Sequence, residues 1–152
     1  MILKLRQRMA QDESGFTLVE LLVVMLILGL LAAIAIPAFF NQRDKAKDAS
    51  AKEAVRTAET AMETYATDND GSYVGAKADG TAGSLQDIEN TLNDADVSIV
   101  GTPTASSYEV RVVSETGTDF NITRNSDGTT DLTCGAVAGQ GDAGCPSNGV
   151  WG

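Results

Sequence analysis

The sequence predicts an α+β fold, with one long N-terminal helix laid on a small antiparallel sheet. Three observations carry that prediction. Residues 16–36 are apolar except for Thr17, Glu20 and Gly29. Ala51, Val55, Ala58, Met62 and Tyr65 then recur at intervals of 4, 3, 4 and 3, which draws one stripe on a helix. Beyond residue 96, short alternating segments separated by turn residues read as strands.

The chain opens with a short polar segment, residues 1–15, that carries Lys4, Arg6 and Arg8. Positive charge on this flank predicts that the N-terminus stays cytoplasmic and the remainder lies outside. The 21 positions from Phe16 to Ile36 would make a helix of roughly 32 Å, which matches a hydrocarbon core of about 30 Å. An ordinary secretory signal has a shorter apolar run followed by small residues; here only Ala32-Ala33-Ile34-Ala35 mimics such a site. Glu20 lies inside the run. A charge at mid-bilayer costs about 2.5–3.5 kcal/mol on insertion scales, so Glu20 calls for a partner.

Pro37 ends the apolar run and predicts a kink or break. Helix signals then resume to about Thr67, in an amphipathic half spanning 38–67. Lys45, Lys47, Asp48, Lys52, Glu53, Arg56, Glu59 and Glu63 fall mostly off the apolar stripe, and Asp48 with Lys52 makes a favourable i, i+4 pair. The stripe lasts only about two heptads, so it reads as packing on its own domain rather than as a coiled coil. Asp68-Asn69-Asp70-Gly71-Ser72 stops the helix.

Residues 68–152 form the head. A loop rich in Gly, Ala, Ser and Asp runs to Gly83, and a short helix is expected from Ser84 to about Asn93, with Asp87 in a capping-box position. Strands are expected at Val97–Val100, Tyr108–Val113, Phe120–Arg124 and Thr129–Cys134, with a hairpin turn at Asn125-Ser126-Asp127-Gly128. This makes a sheet of three or four strands, its apolar face on the helix stripe. The tail from Gly135 to Gly152 is Gly-rich, and Val150-Trp151 is its apolar anchor.

Composition narrows function. The chain has 11 basic and 21 acidic residues and no histidine. Without residues 1–15 it holds 8 basic and 19 acidic side chains. That balance argues against nucleic acid as a direct partner. The missing imidazole removes His-based acid–base, nucleophile and metal chemistry. Carboxylates are scattered without a dyad, and no phosphate loop or nucleophile motif is present, so no enzyme activity and no cofactor are expected. Asp68, Asp70 and Ser72, and Asn125, Asp127, Thr129 and Asp131, place oxygens around a glycine in the manner of calcium loops. Neither fits the EF-hand pattern, and turns use these same residues, so no metal is assigned. Asn121-Ile122-Thr123 matches a glycosylation sequon but falls inside a predicted strand. Cys134 and Cys145 fit neither a redox Cys-x-x-Cys nor a zinc set. The residues alone leave a disulfide or two free thiols open.

Gly15-Phe16-Thr17-Leu18-Val19-Glu20-Leu21-Leu22, with the uncharged spanning run and the late proline, resembles the class III signal of type IV pilins and type II secretion pseudopilins. The match covers Gly15 to about Arg43, and beyond it only the layout is similar. The resemblance implies that a prepilin peptidase removes residues 1–15 as a leader, cutting after Gly15, and that Phe16 is then N-methylated. It implies that Glu20 is the assembly glutamate and that Gly29 and Pro37 weaken the transmembrane and filament-core helix, residues 16–37. It also implies a disulfide between Cys134 and Cys145, by analogy with the Cys-bounded C-terminal loop of pilins. The implied function is a structural subunit of a type IV pilus, for adhesion, motility or DNA uptake. The implied partners are copies of itself, the peptidase, the pilus assembly machinery and the inner membrane, and the chain would pass from the cytoplasmic membrane to an extracellular filament. A pseudopilin of a type II secretion system is the alternative. A membrane-anchored extracellular binding domain that never polymerises is another, against which Gly15 and Glu20 speak.

Overall fold

The computed structural model describes residues 15–136 and 144–152. The chain separates into two compact units at the boundary between Phe40 and Asn41.

Helix α1, Leu18–Asp68, begins in the first unit. Its large apolar side chains from Leu18 to Phe40 are all exposed. Among the described residues it is the one helix long and apolar enough to cross a membrane, judged by length and composition. The break allowed at Pro37 is not present, because helix continues on both sides of it. The proline costs one backbone donor, and the flanking Ala33, Ala35 and Ala38 are strong helix formers that hold the turn.

In the second unit, α1 buries Asp48, Ala51, Val55, Ala58, Ala61, Met62 and Ala66. Spacings of 3 and 4 put these on one face, and the alanines let the backbone lie close to the sheet. Tyr65, the last residue of the predicted stripe, is partly buried against this core, and its hydroxyl donates to the Val74 carbonyl at 3.1 Å. The helix ends where Asp70 and Gly71 adopt φ of 54° and 80° and the Gly71 amide donates to the Ala66 carbonyl at 2.8 Å, a left-handed termination that glycine tolerates.

The expected helix after Ser84 is split into α2, Leu85–Ile88, and a 3-10 turn, Asn90–Asp94. Glu89 between them is extended and accepts from the Thr91 hydroxyl at 3.0 Å, so it starts the second turn instead of continuing the first. The capping box does not form: Asp87 accepts from the Gly83 amide at 2.8 Å, one residue ahead of the N-cap, and the Ser84 side chain makes no cap bond.

Strands β1 (Asp96–Ile99), β2 (Tyr108–Val113), β3 (Thr118–Arg124) and β4 (Thr130–Ala136) pair antiparallel in chain order. The register sets Val112 opposite both Val97 and Phe120, and Ile122 opposite both Val110 and Leu132. Tyr108, Val110, Val112, Phe120 and Ile122 thus share one face, and they form a single buried cluster with the α1 alanines, Val55 and Met62. Residues 144–152 return along the outer edge of β4. The Cys134 amide donates to the Gly149 carbonyl at 2.8 Å, Thr133 bridges Val150, and the Trp151 amide donates to the Leu132 carbonyl at 3.3 Å. Covering this edge removes a template for unwanted strand pairing.

Candidate assembly site

Gly15, Phe16 and Thr17 precede α1 and are exposed. The Thr17 hydroxyl accepts from the Glu20 amide at 3.2 Å, and Glu20 Oε2 accepts from the Thr17 amide and hydroxyl, both at 2.9 Å. This is a reciprocal capping box, with Thr17 as N-cap and Glu20 three residues in. It explains why the helix starts at Leu18 and not at Phe16. The carboxylate also sits in the first turn, where the helix dipole favours negative charge. Thr17 is a residue that the apolar pattern overlooks, although Thr-x-x-Glu before an apolar run is itself a legible start signal. Glu20 Oε1 accepts no hydrogen bond among the described residues.

Among the described residues nothing lies within 4 Å of a Cβ built on Gly15 or on Gly29. Packing among those residues therefore demands neither glycine. A mid-helix glycine costs about 1 kcal/mol relative to alanine, so Gly29 persists against its local cost.

In the head, the structure joins Cys134 and Cys145 in a disulfide, with Cα atoms 5.7 Å apart. The intervening residues 137–143 lie outside those described. Trp151 completes the closure. Its indole Nε1 donates to the Thr133 carbonyl at 2.8 Å, and its ring meets Phe120 edge-on at 5.8 Å. Lys52 lies over the Phe120 and Trp151 rings and Arg56 over Trp151. The expected Asp48–Lys52 pair is absent among the described residues, because the two side chains serve different neighbours. Asp48 is buried and accepts from the Thr116 hydroxyl, and a Cβ on Gly144 would come within 2.3 Å of its Oδ2.

Glu63 was another residue assigned to the solvent side. It accepts from the Tyr73 hydroxyl at 3.0 Å and the Tyr108 hydroxyl at 3.1 Å, and it pairs with Arg124 at 3.5 Å. The two tyrosine rings pack edge-to-face at 4.6 Å. Burial first, and the Glu63 charge second, raise the Tyr108 pKa well above its ordinary value. Tyr73 shifts up for the same reasons. No spacing rule finds this cluster, because it draws on α1, the loop after it, β2 and β3.

The oxygen-bearing loops behave as turns. Asp127 Oδ1 accepts from the Thr129 amide and hydroxyl at 2.9 and 2.6 Å, which holds its carboxyl below the usual carboxylate range, and Asn125 Nδ2 donates to Asp131 Oδ2 at 2.8 Å. Asp68, Asp70 and Ser72 sit in the α1 termination, where the Ser72 hydroxyl accepts from the Val74 amide at 3.3 Å. Among the described residues no three His, Cys, Asp or Glu side chains gather at one place. Asn121 of the sequon is buried, donating to Asp119 Oδ2 at 2.8 Å and accepting from Arg111 Nε at 2.9 Å.

Comparison with known proteins bears on the N-terminal element. The family model described as the prokaryotic N-terminal methylation motif matches residues 11–36. The chain is 41% identical over 59 residues to the type II secretion system core protein G of Pseudomonas aeruginosa, a match covering 39% of this chain and 42% of the relative. It is 40% identical over 58 residues to the type IV major pilin protein PilA of Myxococcus xanthus, covering 38% of this chain and 26% of the relative. It is 39% identical over 57 residues to the core protein G of Aeromonas hydrophila, covering 38% of this chain and 40% of the relative. The chain thus spans less than half the length of each of these relatives. No solved structure matches it significantly. The methylation motif and these relatives show that the N-terminal element is similar to that of type IV pilins and type II secretion core proteins.

Proposed function

We propose that this chain is the structural subunit of a type IV pilus, cut after Gly15, methylated at Phe16 and polymerised through residues 16–37. The observation that carries this reading is an exposed, all-round apolar helix with a carboxylate four residues after Phe16. So much apolar surface requires cover. The bilayer supplies it before assembly, and the same segments of neighbouring copies supply it afterwards. Cleavage frees the Phe16 amine. Glu20 Oε2 is held by its own cap, and Oε1 is open to the Phe16 ammonium of an adjacent copy. Each charge is costly alone in an apolar core, and pairing offsets much of that cost. The pairing also sets axial register. The contact is heterologous and does not close, so it propagates as a helix of subunits. Gly29 and Pro37 give the segment room to loosen as it leaves the membrane. Gly15 serves the prepilin peptidase, which fits the absence of any packing demand for it among the described residues.

A pseudopilin of a type II secretion system is the second reading, supported by the relatives named core protein G of such systems. The disulfide-pinned C-terminal tail favours the pilus. In both readings the chain works by assembly and not by catalysis.

The test is Glu20→Ala in the producing cell. Sheared filament should fall to background while the processed chain still accumulates in the membrane. Normal filaments from this variant would contradict the register role of Glu20.

A further inference from the structure

Charge is divided unevenly along the head. Residues 41–56 hold five basic and three acidic side chains, whereas residues 57–152 hold three basic and fifteen acidic. Lys45, Lys52 and Arg56 are spaced by 7 and 4, which stacks them on one flank of α1. Lys45 and Arg56 are exposed, and none of the three forms an ion pair among the described residues. Phe120 and Trp151 brace Lys52, and Trp151 braces Arg56 as well, so two of the three cations on this ridge rest on aromatic rings.

Ser50 and Ala54 lie about 160° around the helix from Lys52, at 3.6 residues per turn. There the head opens into a groove of about 520 Å³ floored by small side chains, Ser50, Ala51 and Ala54, and walled by Asp94 and Asp96. A second hollow of about 400 Å³ shares Ser50, Ala54 and Thr91 and extends it toward Glu89. Asp94 and Asp96 are exposed and unpaired among the described residues. Within the groove Lys47 is already neutralised by Glu115 at 2.8 Å, so the free charge of the walls is negative.

We propose that the Lys45–Lys52–Arg56 ridge of one copy docks into the Asp94–Asp96 groove of a second copy. A convex basic ridge and a concave acidic groove, on opposite flanks of one helix, are complementary between copies and remote from each other within one. The two patches differ, so the contact is heterologous and repeats without closing. The proposal rests on the filament reading and adds a head-to-head contact to it. Such complementarity sets orientation and register, and like charges across the same contact oppose it.

The test is charge exchange in the full chain, read as sheared filament mass alongside the amount of processed chain in the membrane. Lys45→Glu with Arg56→Glu, and separately Asp94→Lys with Asp96→Lys, should each reduce filament by about tenfold or more, because each sets like charges together. All four changes in one chain should restore it. If a reversed chain fails to accumulate, Lys45→Gln with Arg56→Gln takes its place, with reduced filament again expected. Normal filament from either reversal, or no recovery in the combined chain while the wild type assembles, would overturn the docking. Absence of filament from the wild type itself would instead overturn the reading on which the docking rests.

Discussion

Thr17 and Glu20 close the start of α1 on each other. In the single chain the Glu20 carboxylate closes its own helix start, and its free oxygen remains available. Glu63 is the corresponding residue in the head. It satisfies two tyrosine hydroxyls and Arg124 together. Glu63→Ala would leave both hydroxyls without this acceptor and should destabilise the head by about 2–6 kcal/mol, at roughly 1–3 kcal/mol for each unsatisfied group. Urea unfolding of the detergent-solubilised chain checks this, and an unchanged midpoint would refute it. Gly144→Ala should cost about 1–3 kcal/mol, the usual range for overpacking, because the added methyl meets the Asp48 carboxylate. The same unfolding measurement applies. The roles of Asp48 and Glu63 were not legible in the sequence. A charged residue beside an apolar stripe ordinarily faces water, and only the tertiary partners Thr116, Tyr73 and Tyr108 reverse that.

At the scale of elements, period-2 and period-3.6 patterns carried most of the fold. β2 was predicted at Tyr108–Val113 and occurs there, because alternation was clear and turn residues bounded it. α1 was legible for the same reason. The helix after Ser84 was misjudged as continuous, since apolar spacing does not reveal that Glu89 turns extended to cap Thr91. The Tyr108 contact between β2 and α1 makes a pH prediction. Its folded pKa is raised, so above about pH 10 the unfolded chain releases a proton that the folded chain keeps. The stabilising effect is complete below that pH, and stability should fall as pH rises beyond it. Tyr108→Phe should flatten that fall when urea midpoints are followed from pH 8 to 11, and an undiminished fall would contradict the burial argument. The disulfide ties β4 to the returning tail. Replacing Cys134 and Cys145 by serine together should lower stability by about 2–3 kcal/mol on the chain-entropy model, again read by urea unfolding.

For the whole molecule, the division of labour follows hydropathy. Residues up to Phe40 expose their apolar side chains, while those from Asn41 on bury theirs in a core shared by α1 and the sheet. The first unit therefore leaves its apolar surface uncovered, whereas the second holds a core of its own. The N-terminal motif was legible because its signal is local: a glycine, a phenylalanine, a threonine and a glutamate within six positions. The head's closure was legible as the cysteine pair and Val150-Trp151, whereas the partners of Trp151, Thr133 and Arg56, were not, because they lie across long stretches of chain. The most direct test of the central claim is mass spectrometry of protein sheared from the cell surface, read at its N-terminal peptide. The account predicts a chain that begins at Phe16 and carries one added methyl group. An intact chain beginning at Met1 and confined to the membrane would contradict it.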